Sequence, residues 1–194
     1  GKTASNLNIY DADYTMEAAV RFDNSSQGMV FGTSTTSYRQ GLHIGAGSNA
    51  RVYQGHYAMD GSSANNTLTS DVWYHLMWTF DKSAGEMKMY LDGSLIQTQT
   101  GKLSFLGTSN IMLSRYWAYS ALDLAYARIY DTVFTSSQVS ILYNEYNSLV
   151  DTVIEDSLFL SVDASNSDSY SGSGTTWTDL TGNGYNGTLI NGPT

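Results

Sequence analysis

The 194 residues suffice for one well-buried domain or two small ones. Charged residues make up only 14 % of the chain, against roughly a quarter in ordinary soluble domains, and the formal net charge is -9. The Lys and Arg side chains stand singly, so no basic stripe exists for nucleic acid or an anionic membrane surface, and with no Cys there is no disulfide, thiolate zinc site or cysteine nucleophile.

In chain order, strict alternation over 14–22 puts Tyr14, Met16, Ala18, Val20 and Phe22 on one face and Thr15, Glu17, Ala19 and Arg21 on the other, which predicts a half-buried strand. Short strand-like runs follow at 28–32, 41–44, 51–57, 73–80, 87–91, 94–98, 111–114 and 122–130, separated by Gly, Ser, Asn and Asp clusters. Asp92-Gly93 between two of them is a hairpin signal, because both central positions of a type I′ turn need positive φ. Helical spacing occurs over 135–146, where Val139, Leu142, Tyr143 and Tyr146 follow Thr135 and Ser136 as N-cap candidates. An acidic segment, 151–157, reads as a linker to a strand at 158–162 and a glycine-rich tail. The pattern predicts an all-β, antiparallel β-sandwich of jelly-roll type with one short helix after the last main strand. No apolar run approaches the roughly 20 residues of a membrane span, so no membrane insertion is expected.

The segments YTMEAAVRF from Tyr14, WYHLMWTFD from Trp73, MKMYLDGSLI from Met87 and ARIYDTVFTSSQVSILYNEY from Ala127 resemble, in order, the strand signatures of laminin-G-like, concanavalin-A-like jelly-roll domains. Residues 158–194 are similar to the segment that opens such domains in phage and other viral structural proteins, and ILYNEYNSL to their closing helix. The opening segment thus stands last. Residues 1–194 read as a single domain in circularly shifted order, with 1–150 as main body. The stretch 158–194 either completes its own sandwich, the reading favoured here, or is exchanged with a neighbour in a homo-oligomer. The resemblance implies a non-catalytic adhesion, decoration or glycan-binding module at a virion surface or in another extracellular setting. Its partners would be a glycan or neighbouring coat and tail proteins.

The alternative within the same fold is a polysaccharide-degrading enzyme, which needs two carboxylates facing one groove. No Glu-x-Asp-x-Glu run exists; Glu17 lies on a strand and could face the groove, with an acid partner that the sequence does not identify. His43, His56 and His75 lack metal-ligand spacing, and His75 falls in a strand signature whose resemblance implies a structural role. Neutral sugars are read by aromatic faces with polar groups beside them, so the candidate ligand-binding residues are Tyr38, Arg39, Tyr53, His56, Arg115, Tyr116, Trp117 and Tyr119. Asp179 and Asn183, with Asp163, are candidate ligands for one structural Ca²⁺, an ion that the resemblance also implies near this loop. The competing reading is an Asx turn, in which Asp179 and Asn183 bond only their own backbone.

Overall fold

A computed structural model describes residues 2–23, 28–114, 121–156, 162 and 166–189. The chain forms two compact units, Gly1–Asn144 and Glu145–Thr194. The first contains β1 (Lys2–Thr3), a 3₁₀ turn (Ser5–Leu7), β2 (Tyr14–Phe22), β3 (Gly28–Gly32), β4 (Leu42–Gly47), β5 (Arg51–His56), β6 (Gly61–Ser62), β7 (Trp73–Asp81), β8 (Glu86–Leu91), β9 (Ser94–Gln99), β10 (Asn110–Leu113), β11 (Leu122–Tyr130) and the start of α1 (Ser136–Asp156). The second contains the rest of α1, β12 (Thr176–Trp177) and β13 (Gly187–Thr188).

Two antiparallel sheets make the sandwich, in the orders β1-β10-β3-β4-β5-β6 and β11-β2-β7-β8-β9. Alternation along β2 is obeyed residue by residue: Tyr14, Met16, Ala18, Val20 and Phe22 enter the core with Leu76, Trp78 and Phe80 of β7 and Leu42, Ile44 and Ala46 of β4. Each such side chain removed from water contributes about 1.5–3 kcal/mol, which is what drives the two sheets together. The predicted turn at Asp92-Gly93 joins β8 to β9 with φ of 47° and 74°. Gln97 and Gln99 of β9 both donate to the carbonyl of Ser62 in β6, at 3.0 and 3.4 Å, so the sheets are stitched along that edge.

A chain of buried hydrogen bonds crosses the core. Gln54 Nε2 of β5 donates to the Thr79 carbonyl and to Tyr14 Oη, each at 3.0 Å. Tyr14 Oη donates to His56 Nε2 at 2.8 Å, and His56 Nδ1 donates to the Leu103 carbonyl at 2.8 Å. That carbonyl requires the proton on Nδ1, which makes Nε2 the acceptor.

α1 is capped as expected. Thr135 and Gln138 form a capping box, in which Gln138 N donates to Thr135 Oγ1 and Thr135 N to Gln138 Oε1. The helix is not short, however: its 21 residues run through Asp156, so the segment expected as a linker is helical to that point. No Pro or Gly interrupts 136–156, and alternating Asp, Thr and Val there carry no stop signal. The strand expected at 158–162 lies outside the described residues except for Val162. In the tail, β12 pairs antiparallel with β13, Thr176 opposite Thr188.

Burial pushes the His56 pKa down from 6.5 to about 4, against the pull of the Leu103 carbonyl. On acidification through that window the unfolded chain takes up a proton that the folded chain refuses, so the stability present above pH 6.5 is lost as pH falls toward 4. The loss is expected to be about 3 kcal/mol, read by guanidinium melts at several pH values. His56→Gln should flatten the slope; an unchanged slope would assign it to other groups.

Candidate functional site

The outer face of the six-stranded sheet gathers the polar and aromatic side chains. On β4 and β5 the core takes Leu42, Ile44, Val52, Gln54 and His56, leaving His43, Gly45, Gly47, Arg51, Tyr53 and Gly55 for the other side. Glycine is required here by space. A Cβ on Gly55 would stand 2.3 Å from His43 Nε2 and 2.2 Å from Asp60 Oδ1, and one on Gly47 would stand 2.9 Å from the Tyr53 ring. Over these bare strands His43 lies 5.4 Å from Tyr53, tilted, and 6.3 Å from Tyr57, edge to face. His43 Nε2 is hydrogen-bonded to Asp60 Oδ1, and Lys102 Nζ holds the Asp60 carbonyl.

His43 is thereby only 3 % exposed and serves to position its neighbours, whereas Tyr53 and Tyr57 are half-buried and the Asp60 side chain is 39 % exposed. The loop carrying Tyr38 joins the same corner: Arg39 N donates to the Tyr57 carbonyl at 2.9 Å and Tyr57 N to the Gly41 carbonyl at 2.8 Å. Tyr38 itself is 54 % exposed. The corner therefore combines aromatic faces with a fixed carboxylate, a set that can stack on a sugar ring and accept from its hydroxyls.

Two of the sequence candidates have other work. His56 is fully buried and points into the core, because residues 53 and 57 share one parity on the strand and 56 the other. Arg39 faces inward as a clamp, its Nε and NH2 donating to the Ser104 carbonyl and hydroxyl at 2.7 Å each, which pins the 100–109 loop. Arg115, Tyr116, Trp117, Tyr119 and Asp163 lie outside the described residues. His43 and Asp60 are not among the sequence candidates and are joined only by the fold; the alternation Leu42-in, His43-out is the signal available for them.

On the other sheet, Glu17 faces outward but is 0 % exposed. It accepts from His75 Nε2 at 3.0 Å, Tyr126 Oη at 3.1 Å, Arg128 NH1 at 3.3 Å and Tyr130 Oη at 2.8 Å. Burial alone would raise its pKa, but the bonds from His75 and Tyr130 and the charge of Arg128 outweigh that and hold it below the usual carboxylate range. In turn burial and Glu17 push Tyr130 up to about 12. The start of α1 packs beside this cluster, with Val139 against Met77 and Tyr90 and Tyr143 against His75. A carboxylate so enclosed and so fully donated to is a structural anchor.

In the second unit the Asp179 carboxylate, 5 % exposed, accepts from Thr181 N at 3.0 Å, Thr181 Oγ1 at 2.8 Å and Tyr185 N at 3.2 Å. Asn183 N donates to Thr181 Oγ1 at 3.2 Å, and Asp179 N to Asn186 Oδ1 at 2.8 Å. This is Asx-turn chemistry: the oxygens face N–H and O–H donors, and such a donor set does not fit a calcium ion.

A family described as the concanavalin A-like lectin/glucanases superfamily matches residues 2–140. No curated protein matches the chain in sequence. Among solved structures, the chain is similar to the Ruminococcus gnavus IT-sialidase CBM40 bound to α2,3 sialyllactose, with 13 % identity, TM-score 0.59, and 72 % of this chain and 86 % of that one covered. It is similar to domain 4 of AbnA, an extracellular arabinanase from Geobacillus stearothermophilus, in complex with arabinotriose, with 18 % identity, TM-score 0.53, and 70 % and 68 % covered. A SAP-like pentraxin from Limulus polyphemus aligns with 16 % identity, TM-score 0.52, and 68 % and 69 % covered. At these identities the likeness shows the fold.

Glu17→Gln removes the charge that faces Arg128 and His75 and is expected to cost roughly 3 kcal/mol in denaturant unfolding; a loss under about 1 kcal/mol would demote the cluster. Excess Ca²⁺ is expected to leave the melting temperature unchanged, since an ion at Asp179 must displace Thr181 and Tyr185. A rise of several degrees, lost in Asp179→Asn, would restore the ion.

Proposed function

The chain belongs to the concanavalin A-like lectin/glucanase superfamily, and from that premise we propose that it is a non-catalytic, extracellular glycan-binding module that reads neutral sugars with Tyr53, Tyr57, Asp60 and Tyr38. The observation that carries this reading is the meeting, around His43, of the Tyr53 ring on a glycine-cleared strand with the Tyr57 ring and the Asp60 carboxylate of the turn that follows it. Strand-borne groups are pre-ordered, so little entropy is lost when a sugar settles on them. A formal charge of -9 favours uncharged over acidic glycans. Similar structures that include carbohydrate-binding domains support the same use of the fold, and the internal role of Glu17 supports a module without hydrolytic chemistry.

The finer setting is an adhesion or decoration domain of a viral or phage surface or tail protein, with neighbouring coat proteins as further partners; the similarity of residues 158–194 to the opening segment of such domains motivates it. In that setting the tail completes its own domain. Light scattering should then give a monomer with a protease-resistant tail, whereas a tail-dependent dimer would mean exchange.

A glycan array followed by calorimetry tests the sugar site. Tyr53→Ala is expected to weaken binding to the best neutral glycan at least tenfold, about 1.4 kcal/mol, with Asp60→Asn acting in the same direction and both variants keeping the wild-type melting temperature to within a few degrees. Absence of any array signal, or full binding by both variants, would overturn the assignment.

A further inference from the structure

The five-stranded sheet carries a second exposed row. Asp123 of β11 is in register with Arg21 of β2, and Arg21 with Trp73 of β7, so the three side chains stand abreast on the outer face. Trp73 lies on the same face as His75 and Met77, where the start of α1 packs, but two and four residues earlier, beyond that contact. It is 43 % exposed, a large value for an indole on a strand. Arg21 is held by Asp123: its Nε donates to Oδ2 at 2.9 Å, and its NH2 reaches the same oxygen. The guanidinium carbon sits over the Trp73 ring, 5.9 Å from its centroid. One side of the indole is thus propped by a fixed cation, and just under half of the residue faces water.

The charges select what could bind. Arg21 beside the ring disfavours a cationic guest on the indole, and Asp123, whose Oδ2 takes both bonds from Arg21, balances that charge while keeping Oδ1 as an acceptor. Asp23 and Asp71 also act on Arg21, so an acidic guest meets their field. A neutral polyol with one apolar face satisfies all of these: its C–H face lies on the indole, and its hydroxyls accept from the guanidinium edge and donate to Asp123. We propose that Trp73, Arg21 and Asp123 form a second site for a neutral pyranose, on the opposite sheet from the Tyr53 corner and independent of it. Two such sites on one rigid sandwich would let the module engage two chains of a glycan layer at once, gaining avidity without further contacts.

The test follows the Trp73 indole N–H resonance in ¹⁵N-labelled protein, assigned with Trp73→Phe, during titration with methyl glycosides of glucose, galactose, mannose and N-acetylglucosamine. The expected result is a saturable shift with at least one sugar that persists in Tyr53→Ala and weakens at least tenfold in Asp123→Asn and Arg21→Lys, both of which retain a polar partner on the strand. Overturning results are a resonance indifferent to all four sugars, one moved only by a lysine-rich peptide, or a shift that disappears in Tyr53→Ala. The last would report the first site instead, while loss of Tyr53-dependent binding with the Trp73 shift intact would count against the first site alone.

Discussion

The run of hydrogen bonds from Thr79 through Gln54, Tyr14 and His56 to Leu103 is the constraint on which the sandwich depends. Apolar side chains bring the sheets together but tolerate sliding, because contact between methyl groups has little direction. A buried phenol, amide N–H and imidazole do not, since each donor here meets its acceptor in line and an unmet donor costs about 1–3 kcal/mol. The chain therefore fixes β5 against β2 and β7 in one register and ties the 100–109 loop to the same point. Arg39 fastens that loop from its other side through Ser104. The Tyr38 loop and the Tyr57 turn, which flank the proposed sugar site, hang from these two anchors.

The outer faces of the two sheets are built by opposite means. On the five-stranded sheet a charged cluster around Glu17 fills the space beside the start of α1, and Thr15 Oγ1 accepts from Phe134 N at 3.0 Å while donating to the Thr132 carbonyl at 2.7 Å, which sets where the helix begins. On the six-stranded sheet space is made by leaving side chains out, and rings from neighbouring positions lie down in the gaps. The five-stranded face is thus consumed by packing where α1 begins and open only beyond it, at Trp73, whereas the six-stranded face presents its groups to solvent. Division of labour between the faces follows from which strands carry glycine at the alternate positions.

Much of this was legible in the chain. The limits of β2, β3 and β11 coincide with the runs 14–22, 28–32 and 122–130, because alternation is strict in the first and turn residues bound all three, although β3 and β11 each carry a register irregularity. β4 was foreseen only from 41–44, since Gly45 to Gly47 carry no hydropathy signal, and the two-residue strands have too few residues for any period to show. Tyr38 and Tyr53 were identified as candidates because exposed aromatics are conspicuous in a sequence. His43 and Asp60 were not, because they meet across 17 positions through a turn that propensity does not encode. His56 is a ligand candidate by residue type alone; its parity, counted strictly from Val52, points inward. Glu17 shows the same limit: a strand carboxylate looks accessible until the partners that surround it, from 58 to 113 residues away, are placed.

The glycines beneath Tyr53 and His43 carry a consequence for how such a site can change over evolutionary time. Positions 47 and 55 admit no side chain without displacing the rings above them, so the floor of the site is closed to variation whichever sugar is present. Variation can enter only at the rims, at exposed positions such as Tyr38 whose backbone is held by its own hydrogen bonds, while Arg39 and Asp60 beside them stay tied to the scaffold. Mutational drift would therefore alter the edges of the proposed site without eroding the strands beneath it.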